Sequence, residues 1–244
     1  MYSEQQVETE IARAEESIER ATGQRSRGFR GPGFSLSPTI LRVLARRGYL
    51  YDASTFPTFL GPLARAYYFM TSRLTPEERR KREALFGGFW EGVRPLTPYR
   101  WRTDAGELIE IPVTTMPIVR TPIHLSYILY LCGFSRALAL RYFDSALRLC
   151  QWTGTPPSVL LHPLDFLGYD DMPDLSFFPA MRLATGKKIE VVCEILRLLS
   201  TRFTVLTLEK HAHEAARVSH LPVVEPTFRQ PHDQHLPIAT ESHP

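Results

Sequence analysis

The chain has 244 residues, 43% hydrophobic and 23% charged, with a formal net charge of +3. An aromatic content of 11% excludes disorder throughout, and the small net charge gives no reason to expect nucleic acid. The longest apolar stretch, residues 123–134, contains His124 and is too short to span a bilayer.

The first twenty residues carry six Glu and two Arg, which is not the pattern of a secretory leader. Cys132, Cys150 and Cys193 lie far apart and form no CxxC, so a reduced, cytoplasmic setting with inert thiols is expected. Charge is uneven: residues 1–24 sum to −4, while residues 25–49 hold six Arg and no acid. Such a basic strip serves an anionic ligand or a nearby carboxylate equally well.

In chain order, Ser3 and Gln6 have capping-box spacing, and Val7, Ile11, Ala14, Ile18 and Ala21 mark the apolar stripe of a helix that Gly23 ends. A short strand is expected over 27–30, then the turn Gly31-Pro32-Gly33-Phe34. A helix capped by Ser37 with Pro38 in its first turn follows, through Arg46, and then a strand over 49–54. Residues 56–102 hold 10 of the 27 aromatics and read as an insertion, with a charged helix over 76–86. Beyond it come a strand at 108–114, helices from about 123 to 152, and a strand at 158–162. A Pro- and Asp-rich loop then leads to a helix over 187–200, a strand at 203–208 and a helix to 218. Residues 1–220 are thus expected to form one domain, and 221–244 a disordered tail rich in Pro and His.

Strands alternating with helices imply a mostly parallel sheet, whose sites gather at the C-terminal ends of strands. Three polar clusters fall there: Arg30 with Gly31-Pro32-Gly33, Asp52 with Ser54, and His162 with Asp165. At these residues the chain resembles the polysaccharide deacetylase (NodB homology) family. Phe29-Arg30-Gly31-Pro32-Gly33, Tyr51-Asp52-Ala53-Ser54 and Leu160-Leu161-His162-Pro163 stand in the order of its third, fourth and fifth motifs.

The resemblance implies an incomplete irregular (β/α) barrel of about five mostly parallel strands, and a hydrolase of carbon–nitrogen, non-peptide bonds acting on N-acetylated carbohydrate. It makes His162 the general acid to the departing amine and Asp52 the carboxylate that holds that imidazole. Arg30 would pair with the catalytic base. Leu160 would wall the acetyl pocket, and Pro32 and Gly33 would line the substrate side. The family also uses a divalent metal, often zinc, held by its first two motifs, Thr-Phe-Asp-Asp and His-Ser/Thr-x-x-His. Neither occurs here, and the bulky Trp that often follows the fourth-motif Asp is replaced by Ala53-Ser54.

The expectation is therefore of a chain that starts behind the metal site. A metal lowers the pKa of water from 15.7 to about 7, whereas a general acid alone contributes roughly 10² to 10⁴ of the 10⁶ or more that enzymes typically reach. Two readings stay open: the acid-bearing part of a hydrolase, or a carbohydrate- or partner-binding module without turnover. An unclosed sheet would also leave an edge open to self-association.

Overall fold

Two helices and their charges organise the first part of the fold. The computed structural model describes residues 3–60, 92–175 and 180–226. Helix α1 (Glu4–Thr22) begins with the reciprocal Ser3–Gln6 capping box and ends on Gly23 at φ 70°. Helix α2 (Pro38–Arg46) is capped by Ser37. Ile11 packs with Leu41 and Leu44 between them. Arg46 reaches Glu4 at 2.8 Å and Glu8 at 2.6 Å, Arg42 reaches Glu4 at 3.0 Å, and Arg47 binds Glu8 and Glu15. Half of the basic strip is thus answered by the acidic face of α1.

The sheet contains β1 (Gly28–Phe29), β2 (Tyr51–Asp52), β3 (Tyr99–Thr103), β4 (Gly106–Glu110) and β5 (Val223–Val224). Their order is β1-β2-β4-β3-β5, with β3–β4 antiparallel and the other three pairings parallel. Leu108 points to the α1/α2 side, where Tyr99 and Trp101 are fully buried. Ile109 and Ile111 point to the other face and pack on Ala212 and Ala215 of a helix, Leu208–Ala216. Glu110 lies between two apolar neighbours and, by strand alternation, shares the side of Leu108.

Four further helices complete the fold: α3 (Leu125–Cys132), α4 (Arg136–Thr153), α5 (Thr185–Arg202) and α6, the Leu208–Ala216 helix just described. The first three enclose a separate core of Ile128, Leu129, Phe143, Leu147, Val192 and Ile195. No helix among the described residues is long and apolar enough to cross a membrane.

Three expectations are corrected. Residues 99–102, assigned above to the insertion, form β3 together with Thr103, and its Tyr-Arg-Trp-Arg alternation buries Tyr99 and Trp101. Residues 223–224, assigned to the tail, pair with β3, and the Arg100 amide donates to the Pro222 carbonyl at 2.8 Å. The strands expected at 158–162 and 203–208 do not form. Ser158 exchanges bonds with Thr114 alone, while residues 204–206 lie exposed before Thr207, the cap of α6. The helix expected over 76–86 and the tail beyond residue 226 lie outside the described residues.

Candidate functional site

Asp52 ends β2 and stands opposite Glu110 in the parallel β2–β4 ladder. Both are fully buried. Asp52 accepts from the Ser54 hydroxyl at 2.6 Å and the Ser54 amide at 3.3 Å. Glu110 accepts from the Thr55 amide (3.0 Å), the Thr55 hydroxyl (2.6 Å) and the Trp101 indole (2.8 Å). Burial, the Glu110 charge and a hydrogen bond to Glu110 hold the Asp52 pKa well above the ordinary carboxylate range.

Arg30 follows β1, and its Nε donates to the Ala53 carbonyl at 2.9 Å. Burial lowers its pKa, opposed by the charges of Asp52, Tyr51 and Glu110. The Gly31 amide donates to the Ser54 hydroxyl oxygen at 2.8 Å, tying this loop to the end of β2. A Cβ on Gly31 would lie 2.0 Å from the Ser35 carbonyl oxygen, so only glycine fits. Pro32–Phe34 then makes one 3₁₀ turn with Gly33 at φ 60°, leaving Pro32 and Gly33 exposed.

His162 sits where the extended 158–162 segment meets a short 3₁₀ turn, Pro163–Asp165. Its side chain is 47% exposed. Nδ1 lies 3.0 Å from the Ser126 hydroxyl, in the first turn of α3, and that hydroxyl lies 2.6 Å from Asp165 Oδ1. Asp165 is buried, and its Oδ2 accepts the His162 amide at 2.7 Å. A serine hydroxyl has one hydrogen. If it goes to the Asp165 carboxylate, His162 Nδ1 must supply the hydrogen of the other bond, leaving Nε2 as the working nitrogen.

The loop after His162 is pinned by Lys188, which is 1% exposed and donates to the Leu164 (2.9 Å) and Leu167 (2.6 Å) carbonyls. Burial lowers the Lys188 pKa, against the charges of Asp165 and Asp170. Leu160 is buried, and its carbonyl accepts the Leu125 amide at 3.1 Å.

A row of rings joins the two halves of this region. Phe34 stacks on Phe56 at 4.9 Å, Phe56 meets His124 edge-on at 5.6 Å, and His124 meets His162 at 6.3 Å. His124 Nδ1 is buried with no hydrogen-bond partner among the described residues. Burial and the neighbouring His162 push its pKa down to about 4.

No protein-family model matches the chain, and no curated protein matches it in sequence. Among solved structures it is similar to a Mycobacterium smegmatis protein described as a "putative polysaccharide deacetylase". The TM-score is 0.52 at 16% identity, over 94% of this chain and 62% of that one. The likeness is one of fold. The chain thus has a deacetylase-like fold and spans about 62% of that neighbour's length.

On that fold, the residues singled out in the sequence divide into two groups. Arg30, Pro32, Gly33 and Asp52 gather at the β1–β2 end, and Leu160 and His162 at the start of α3. Among the described residues, the ring of His162 makes its polar contacts with Ser126 and Asp165, while Asp52 makes its own with Ser54 and Glu110. The carboxylate beside His162 is therefore Asp165, three residues further on, and Arg30 faces Asp52 and Glu110.

Sequence reasoning missed Glu110, Ser126 and His124. A lone acid in Leu-Ile-Glu-Ile was a usable signal for Glu110, because a strand buried there must pair its charge. Ser126 and His124 carried none, since their partners are distant in sequence. The described residues do not fit the divalent metal of the resemblance: no three His, Cys, Asp or Glu side chains among them converge as a metal site requires.

Proposed function

We propose that this chain is a polysaccharide deacetylase-like protein that takes N-acetylated carbohydrate at the His162 face, with His162 Nε2 positioned to protonate the amide nitrogen as it leaves. The observation that carries the reading is the Asp165–Ser126–His162 chain of hydrogen bonds. It holds the ring through Nδ1 and leaves Nε2 without a protein partner among the described residues, so that the imidazolium form of His162 can give up its Nε2 proton to the leaving nitrogen and return to the neutral ring. The fold likeness supports the substrate class, and the exposed Pro32 and Gly33 with the Phe34–Phe56 stack supply an apolar wall of the kind sugar rings pack against.

A second reading, binding without turnover, is favoured by one observation. The described residues supply an acid but no donor set for a metal-bound nucleophile. Both readings are separated by incubating the chain with N-acetylglucosamine oligomers, with and without added zinc, and measuring bound sugar and released acetate. Release lost in His162→Ala supports the hydrolase. Saturable binding without release supports the module, and neither binding nor release overturns both.

A further inference from the structure

The two buried carboxyls lie outside the contacts of His162, yet they grip consecutive residues of the segment that leads to it. Asp52 holds Ser54 by amide and hydroxyl, and Glu110 holds Thr55 by amide and hydroxyl. The next residue is Phe56, stacked on Phe34 and set against His124. Ser54 in turn accepts the Gly31 amide, so the same grip reaches the loop of Arg30.

Asp52 and Glu110 stand opposite each other in the ladder and are both fully buried; two ionised carboxylates can only accept, so a hydrogen bond between them requires a hydrogen on one of them. Glu110 already receives three N–H or O–H donors, one of them the Trp101 indole, which makes it the charge-bearing member. Asp52 is then the member that holds the hydrogen. With one proton the pair carries a single negative charge, faced by Arg30 from the loop after β1. Tyr51 on β2 also faces Arg30, and Tyr99 on β3 stands opposite Glu110 in the ladder.

We propose that Asp52 and Glu110 share one proton, and that this proton latches residues 54–56 against the His162 site. Its loss places two adjacent charges in a fully buried position, where repulsion between like carboxylates is least screened. The strand-end residues held by the pair loosen, and Phe56 withdraws from His124. Below that step the site is closed over His124. Above it the ring is open to solvent. The latch needs no bound carbohydrate, so it stands or falls separately from the proposed function.

Trp101 is a built-in reporter, because its indole N–H is bonded to Glu110. The experiment follows the Trp101 indole N–H resonance of the whole chain from about pH 5 to about pH 9, the range in which buried carboxyls have been found to titrate. In parallel, carbethoxylation of His124 by diethyl pyrocarbonate is followed by mass spectrometry. Burial holds the His124 pKa at about 4 while the site is closed, so the covered ring is neutral throughout this range and a rise in its modification reads exposure.

The expected result is one shift of the indole resonance in the wild type, a rise in His124 modification over the same step, and loss of both in Asp52→Asn. A wild-type indole resonance that stays fixed while the chain is folded overturns the shared proton, whether or not the variant folds. A step that persists unchanged in Asp52→Asn overturns it too. A step with no change in His124 modification overturns the latch.

Discussion

Asp165 closes two hydrogen bonds that no other described group can replace, the Ser126 hydroxyl at one oxygen and the His162 amide at the other. Replacing it with Ala leaves both donors without their acceptor, and each lost partner costs about 1–3 kcal/mol in a buried setting. Asp165→Ala should therefore lower the stability by roughly 2–6 kcal/mol, read from the denaturant midpoint at unchanged slope. A loss below about 0.5 kcal/mol, the level of an ordinary surface substitution, would show that Asp165 does not hold His162. At this scale the sequence was half legible. Asp165 stands three residues from His162 and was visible as part of its cluster. Ser126 and Lys188 come from helices 36 and 24 residues away from the groups they bind, a pairing that only the packing of α3 and α5 creates.

Between elements, the α1–α2 interface is held by charge as well as by Ile11, Leu41 and Leu44. Glu15 is buried, and its hydrogen bond to Arg47 outweighs burial and holds its pKa below the ordinary glutamate value of 4.5. A carboxyl with a depressed folded pKa contributes stability that is present above its unfolded value and lost as pH falls through its folded one. The wild type should therefore lose stability as pH falls below about 4.5, and Arg47→Met should lose less over that window while being weaker at neutral pH. Parallel curves for the two proteins would show that the pair contributes nothing. The capping of α1 and α2 was legible because it is local, written in Ser3, Gln6, Gly23, Ser37 and Pro38. Strand β3 was less legible: its alternating Tyr99 and Trp101 sit at the end of an aromatic-rich run that conceals the period. Residues 158–162 have strand composition but meet the 111–115 segment only through Ser158 and Thr114, so residue type alone overstated them.

For the whole molecule, the parallel β1–β2–β4 set brings the turn after β1 and the end of β2 together, as alternating strands and helices imply. The antiparallel β3 and the short β5 lie beyond what that rule gives, because β5 is two residues long and depends on the edge that β3 offers. The three polar clusters were legible as strand-end groups, but their division into a carboxyl pair facing Arg30 and a separate His162–Ser126–Asp165 chain was not. Register decided it: Asp52 falls opposite Glu110, and that pairing commits its carboxyl to the sheet.

The most direct measurement is a titration of the isotope-labelled chain with an N-acetylglucosamine oligomer, followed by amide and imidazole chemical shifts. Saturable shifts centred on His162, Ser126 and Gly33, weakened in His162→Ala, are the predicted result. Absence of binding, or saturable shifts that leave His162 and Ser126 unmoved, would contradict a carbohydrate site at His162.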